Sequence, residues 1–270
     1  MTIEPIRRFY AAAAGLAAVA GFLLFPLAVE TDRYFSWTIE PPLTAAFLGA
    51  AYWAALVLLA WAARQATWAV ARTAMPAVVT IAALLLPATL IHLDKFDLDS
   101  LFGWFWLVVY CLVTPFLAWA IARQVRSAGP VERGLDPVPA GVRALLAVLG
   151  LCLLGFGVAL YVAPADVASA WPWELTPLTA RAVASFLIGF AVAAGFALWE
   201  DDRRRLSGPA YAFAALAALE LLAVAIHSDD LTASAAGVTA YVAFWAVSLA
   251  LGVAGAWLSA RTERAAPGSR

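Results

Sequence analysis

Histidine occurs only twice in this 270-residue chain, and each copy is followed two positions later by an aspartate. His92 and Asp94 recur as His227 and Asp229 at an offset of 135 residues. Imidazole and carboxylate groups together can bind a divalent metal, exchange protons near neutral pH, or hold a polar head group. The spacing matches no established metal motif, so all three chemistries stay open, beside a purely structural hydrogen-bonding role.

A second repeated element precedes each histidine by about fifty residues. In each half a tryptophan is followed three residues later by a glutamate and then by Pro-Leu-Thr. Proline early in a first turn is a helix start signal, and the helix dipole favours a carboxylate there. The glutamates therefore have a sufficient structural explanation. Our functional hypothesis is that each approaches the histidine of its own half, which gives the clusters Glu40/His92/Asp94 and Glu174/His227/Asp229.

Two polar residues have no counterpart in the other half. Glu220 lies inside an apolar run where the first half has Leu85, and Arg181 replaces Ala46. An ionisable side chain at bilayer depth costs a few kcal/mol or more, so it is treated as a site hypothesis. Glu220 precedes His227 by seven residues, which is two helical turns on one face. We predict an Arg181–Glu220 pair, serving either helix packing or a polar path that runs inward.

The elements that position these residues are predicted to cross a membrane. Hydrophobic residues make up 64% of the chain and charged residues 13%, against about 25% charged in a typical soluble domain. A bilayer span needs about 20 apolar residues, and its backbone groups must be paired internally, as they are in a helix. The apolar runs predict an all-α membrane protein of eight transmembrane helices, at 9–29, 43–63, 74–91, 101–122, 142–163, 178–199, 209–227 and 236–260.

The distribution of charge predicts the orientation. With the N-terminus on the cytoplasmic side, the inner segments hold fourteen basic and seven acidic residues, and the outer segments hold three basic and ten acidic residues. Positive charge concentrates on the cytoplasmic side of membrane proteins. Both termini are therefore expected inside, in a multi-pass protein of the inner or plasma membrane. The inner arginines suit a lipid bilayer with anionic head groups, and no nucleic-acid-binding module is present in the sequence.

The repeat predicts two tandem parallel four-helix units, because an even number of spans returns the chain to the same side. We expect two four-helix bundles side by side with a seam between them. Tryptophans near the predicted boundaries are interpreted as interfacial belts. The predicted units are a first repeat at 1–123, a cytoplasmic linker at 124–141, a second repeat at 142–263 and a cytoplasmic tail at 264–270.

Three function classes follow from these residues. The first is a protein that binds or transports a small molecule or ion at the outer half of the sixth and seventh helices. The second is a heme- or quinone-linked redox protein: two four-helix halves resemble the heme A synthase group in topology alone, which implies heme held by histidines. The third is an accessory or assembly subunit of a larger membrane complex, or a homo-oligomer. No catalytic motif is found, and the cofactor is left undetermined.

Overall fold

The computed structural model describes residues 4–127 and 136–265 and contains no strand within those ranges. Its long helices are α1 Glu4–Leu24, α2 Pro42–Ala63, α3 Met75–Ile91, α4 Leu101–Ser127, α5 Ala140–Val162, α6 Pro177–Glu200, α7 Ser207–Ile226 and α8 Ala235–Ala265. Short helical turns connect them. A turn at Trp68–Ala71 leads through 72–74 into α3, so the third apolar segment covers Trp68–Ile91.

All eight of these segments are long and apolar enough to cross a bilayer, which confirms the predicted all-α chain with eight candidate spans. Five begin and end within about two residues of the predicted limits, and α4 and α8 each end five residues beyond them. The first differs, since α1 covers Glu4–Leu24 rather than 9–29. Pro26 lacks a backbone N–H and restricts the residue before it, so the helix ends ahead of it. The middle of the predicted linker and most of the predicted tail lie outside the described residues.

The two halves of the chain interlock. Helix α2 packs against α1 and α7, and α6 packs against α5 and α3. The largest core cluster draws residues from both halves. Glycines permit this close packing: a Cβ on Gly189 of α6 would clash with the Ile81 side chain of α3. The described residues therefore do not pack as two separate four-helix bundles, because the central helix of each half lies between helices of both.

The interpretation of the tryptophans as interfacial belts is wrong for most of those at the predicted outer boundary. Trp37, Trp106, Trp171 and Trp173 are 7% exposed or less, and only Trp104 of this group is exposed, at 56%. The buried rings pack edge-on against one another within each half, as in Trp37–Trp106 and Trp171–Trp173. They form the core beneath the connecting segments instead of anchoring the chain in lipid.

Candidate acidic cavity and its surroundings

An open cavity of about 800 Å³ lies where α2 and α6 begin and α7 ends; we call it the acidic cavity. Four chain segments line it, within 28–32, 38–42, 174–176 and 229–232. Both halves of the chain therefore contribute to its wall. None of its lining residues is basic, and five carry carboxylates: Asp32, Glu40, Glu174, Asp229 and Asp230.

Helix starts position two of these acids, Glu40 and Glu174. Pro42 occupies the first turn of α2, immediately after Glu40 and Pro41. The α6 start is capped by Thr176, whose hydroxyl accepts a hydrogen bond from the Thr179 N–H at 3.2 Å. The first N–H groups of a helix have no partner within it. Glu40 and Glu174 thus lie beside two helix starts, with exposed side chains.

Asp230 joins the two halves at this cavity. Its Oδ2 accepts a hydrogen bond from the backbone N–H of Leu43 at 2.8 Å, across 187 residues of sequence. Leu43 is in the first turn of α2, so a carboxylate from the end of α7 completes the capping of a helix in the other half. Asp230 therefore has a structural role. None of the other four carboxylates accepts a helix N–H among the described residues.

The predicted clusters are rearranged in the structure. Glu40, Glu174 and Asp229 line one cavity together, whereas His92, Asp94 and His227 are not among its lining residues. The glutamates of the two halves therefore line the same cavity. The reason is the interlocking of the halves, which places the start of α2 against the end of α7.

The predicted Arg181–Glu220 pair is wrong. Arg181 Nη1 donates to Nε2 of His92 at 2.7 Å, which links α6 to the end of α3. Because a guanidinium only donates, His92 must accept through Nε2 and carry its proton on Nδ1. Burial, and then the Arg181 charge, lowers the pKa of His92. Asp94 is exposed and pairs with Lys95 at 3.1 Å, and that hydrogen bond lowers the pKa of Asp94.

The His92–Arg181 bond predicts a pH-dependent stability. The pKa of His92 lies below its ordinary value of 6.5, so the unfolded chain takes up the proton first. The stabilisation is complete above pH of about 6.5 and falls as the pH drops further. We expect wild type to lose stability relative to His92→Gln between pH 7.5 and 5, roughly, because the glutamine amide oxygen still accepts from Arg181.

Thermal unfolding across this pH range measures the effect. His227→Gln is the matched control, since no hydrogen bond or ion pair of its ring is present among the described residues. A wild-type pH profile that is parallel to that of His92→Gln would contradict the assignment.

Glu220 is completely buried in α7. The Tyr241 hydroxyl of α8 donates to its Oε2 at 3.1 Å, and its Oε1 has no partner within the part of the chain that the structure describes. The Tyr241 ring packs edge-on against Trp173, the neighbour of Glu174, with 5.4 Å between centroids. Trp173 Nε1 in turn donates to the Thr44 hydroxyl of α2 at 2.8 Å. Contacts through Tyr241 and Trp173 therefore connect Glu220 to the residue next to Glu174.

Sequence reasoning missed Tyr241, the hydrogen-bond partner of Glu220. Tyr241 and Ser248 are seven residues apart on α8, which places them on one face two turns apart. Ser248 and Trp245 also face inward, since both side chains are buried. The heptad spacing of these polar residues in an apolar helix was the available signal. Together with Glu220 they form a polar strip inside the α7–α8 packing.

A network of ion pairs closes the opposite end of the bundle, and sequence reasoning had counted its arginines only as topology signals. Glu200, at the end of α6, pairs with both Arg72 and Arg205. Arg205 also bonds Asp202 at 3.2 Å. The Glu200 side chain is only 2% exposed. This ion-pair network joins the segment before α3 to the connection between α6 and α7.

Within the described ranges, no three histidine, cysteine or acidic side chains converge in a way that would hold a metal ion. Comparisons with protein-family models, with curated proteins and with solved structures find no match. What the protein binds must therefore be inferred from the chemistry of its own residues.

Proposed function

We propose that this membrane protein binds a small organic cation in the acidic cavity and passes it toward the bilayer interior. The supporting observation is a cavity with five carboxylates and no basic lining residue, built by both halves. Clefts lined by one sign of charge concentrate counter-charged solutes. The volume of about 800 Å³ falls within the range of small-molecule sites, which is about 300–1,000 Å³.

The arrangement of the carboxylates favours an amine over a bare ion. Asp230 is engaged by the Leu43 N–H, and the four remaining acids come from four separate chain segments around the opening. A molecule with two or more ammonium groups reaches several of them at once, and each ammonium supplies three donors. A linear diamine such as putrescine is therefore the simplest probe of the site.

We further propose that the cavity faces outward, with both termini in the cytoplasm and the chain organised as two tandem parallel four-helix repeats. The positive-inside distribution of basic residues supports this orientation. The packing supports the repeat: α1 on α2 is matched by α5 on α6, and α3 on α6 is matched by α7 on α2. The cavity then lies at the pseudo-two-fold seam, where repeat-related Glu40 and Glu174 meet.

Removing cavity carboxylates is expected to weaken binding in steps. Glu40→Gln and Glu174→Gln should each raise the Kd for putrescine about threefold, and the double variant about tenfold, as for ion pairs in a solvated site. Isothermal titration calorimetry of the purified protein measures this. Glu30→Gln is the matched control, because Glu30 has the same charge and pairs with Arg33 outside the lining. Equal losses in control and cavity variants would overturn the proposal.

Glu220 is expected to act after binding. Glu220→Gln should leave the Kd for putrescine unchanged, because Glu220 is completely buried and is not a lining residue of the cavity. It should abolish putrescine uptake into proteoliposomes, since the buried carboxylate is the next anion on the path. Glu220→Asp should recover part of the uptake. Undiminished uptake by Glu220→Gln would remove Glu220 from the path.

The accessory-subunit alternative has its own signature in these experiments. Such a protein would bind no putrescine in any variant and would co-purify with a larger assembly under mild solubilisation. That combination would replace the transport proposal.

A further inference from the structure

Glu220 forms no ion pair with a basic residue among the residues that the structure describes. Its side chain is 0% exposed, and its helix α7 packs against α8 and α2. Helix α2 has no charged residue. On α8 the first charged residue is Arg261, twenty positions and about 30 Å along the helix from Tyr241. Arg181, the partner that the sequence suggests, bonds His92 instead.

One neutral donor serves this carboxyl group. The Tyr241 hydroxyl donates to Oε2 at 3.1 Å, and Oε1 is buried with no hydrogen-bond partner in the described ranges. The other titratable groups on α2 and α7 are Tyr52, which bonds a tyrosine of α4, and Tyr211, which is exposed. His227 follows the end of α7, seven residues and about 10 Å along the axis from Glu220. The Glu220 carboxyl therefore has no positively charged hydrogen-bond partner in the part of the chain described.

These surroundings disfavour a carboxylate anion. Removing an unpaired charge from water costs far more than one hydrogen bond returns, and such a group takes up a proton instead. A metal cation would need several oxygen ligands. No three acidic, histidine or cysteine side chains converge to supply them within the described ranges. A proton needs only one free oxygen, which Oε1 of Glu220 provides.

We infer that Glu220 holds a proton on Oε1 while the acidic cavity is empty and exchanges this proton for the organic cation. The inference rests on the cation transport proposed above and adds the ion to which that transport is coupled. The contacts from Glu220 through Tyr241 to Trp173, the neighbour of Glu174, join the proton site to the cavity wall.

The exchange step conserves atoms and involves no electron transfer. As an ammonium group reaches Glu220, the carboxyl O–H bond breaks and the proton leaves to water on the side from which the cation came. The carboxylate pairs with the ammonium group, and the Tyr241 hydroxyl continues to donate to it. After the cation leaves on the opposite side, a proton from that side re-forms the O–H bond. Each cycle therefore moves one proton against one cation.

Proteoliposomes with an enclosed pH-sensitive dye and a clamped membrane potential test the coupling. Putrescine added outside should make the interior more alkaline. An interior one pH unit more acidic than the outside should raise putrescine accumulation about tenfold, the ratio for one exchanged proton. Glu220→Gln should show neither effect, because an amide releases no proton. Protein-free liposomes correct for leakage of neutral amine, and Glu30→Gln, whose side chain is 41% exposed, should behave as wild type.

Tyr241→Phe is a second variant, which decides if Glu220→Gln fails to give a monodisperse protein. It removes the single donor to the Glu220 anion, and a hydrogen bond to a charged group contributes about 1.5–3 kcal/mol. Coupled uptake should therefore slow at least about tenfold, and the pH of half-maximal uptake should move upward. Tyr211→Phe is the matched control, since Tyr211 also lies on α7 but is 42% exposed. It should leave the rate and the pH profile unchanged.

Infrared spectroscopy of the purified protein detects the proton without transport. Glu220→Gln should remove the carbonyl band of a protonated carboxylic acid from the wild-type spectrum at neutral pH, and absence of this band in wild type overturns the inference. Uptake that needs Glu220 but ignores the pH gradient, or that follows a sodium gradient, also overturns it and leaves the transport proposal standing. No putrescine uptake by wild type under any gradient overturns the proposed function, and the exchange with it.

Discussion

Glu200→Gln is expected to lower the free energy of unfolding by about 3–5 kcal/mol, the cost of breaking a buried ion pair from one side. Glu200 lies between Arg72 and Arg205, whose side chains are 16% and 10% exposed. Glutamine keeps the shape but leaves two poorly solvated guanidinium groups without their shared anion. The network joins the segment before α3 to the end of α6, so its loss also loosens contacts between the halves. Denaturant unfolding in detergent, followed by tryptophan fluorescence, measures the change.

Glu4→Gln supplies the comparison. Glu4 also pairs with two arginines, Arg7 and Arg8, but its side chain is 51% exposed. Exposed ion pairs contribute little, so this variant should change stability by about 0.5 kcal/mol or less. If Glu4→Gln and Glu200→Gln lower the free energy of unfolding equally, burial does not make the Glu200 network more stabilising than an exposed pair.

Gly49→Ala is the second large effect, with an expected loss of about 1–3 kcal/mol or more from overpacking. A Cβ at Gly49 of α2 would lie 2.6 Å from the backbone nitrogen of Phe25, at the end of α1. A backbone atom cannot move away by a change of rotamer, as a side chain can. The two helices α1 and α2 must therefore separate. The α1–α2 contact is one of the most extensive in the protein, and the loss should appear as reduced thermal stability.

Gly15→Ala is the opposite case on α1. A Cβ there meets nothing within 4 Å, and alanine is the better helix former by about 1 kcal/mol. This variant should be neutral or slightly stabilising. If the two alanine variants unfold at the same temperature, close packing of α1 on α2 through Gly49 is contradicted.

The helices were predictable because bilayer depth leaves a direct record in sequence. Each apolar run longer than the bilayer core gave a helix, and Pro26 was the one local signal overlooked, which shifted α1. The position of each helix along the chain was therefore predictable. Rotation about the axis was not: Arg181 was assigned toward α7 but faces His92 at the end of α3. An apolar helix with few polar residues has no polar face that would fix that rotation.

The sequence pattern points to individual residues that line the acidic cavity. It does not predict which of them come together. Glu40, Glu174 and Asp229 were singled out from the repeat, and all three line the acidic cavity. Their convergence depends on α2 packing against α7, a contact between sequence halves that the repeat alone does not specify. Asp230 was read only as part of the outer charge, yet it caps α2 through Leu43. Long-range pairing of this kind has no local sequence signature.

The central claim, that the acidic cavity recognises an organic cation by its charges, is tested most directly by a ligand series on the wild-type protein. Putrescine, butylamine and 1,4-butanediol have the same carbon chain and carry two, one and no positive charges at neutral pH. Calorimetric titration at fixed ionic strength should rank their affinities in that order. In the Glu40→Gln/Glu174→Gln variant, the differences in affinity among the three ligands should be smaller. Equal affinity for putrescine and 1,4-butanediol, or a ranking unchanged in that variant, would contradict the claim.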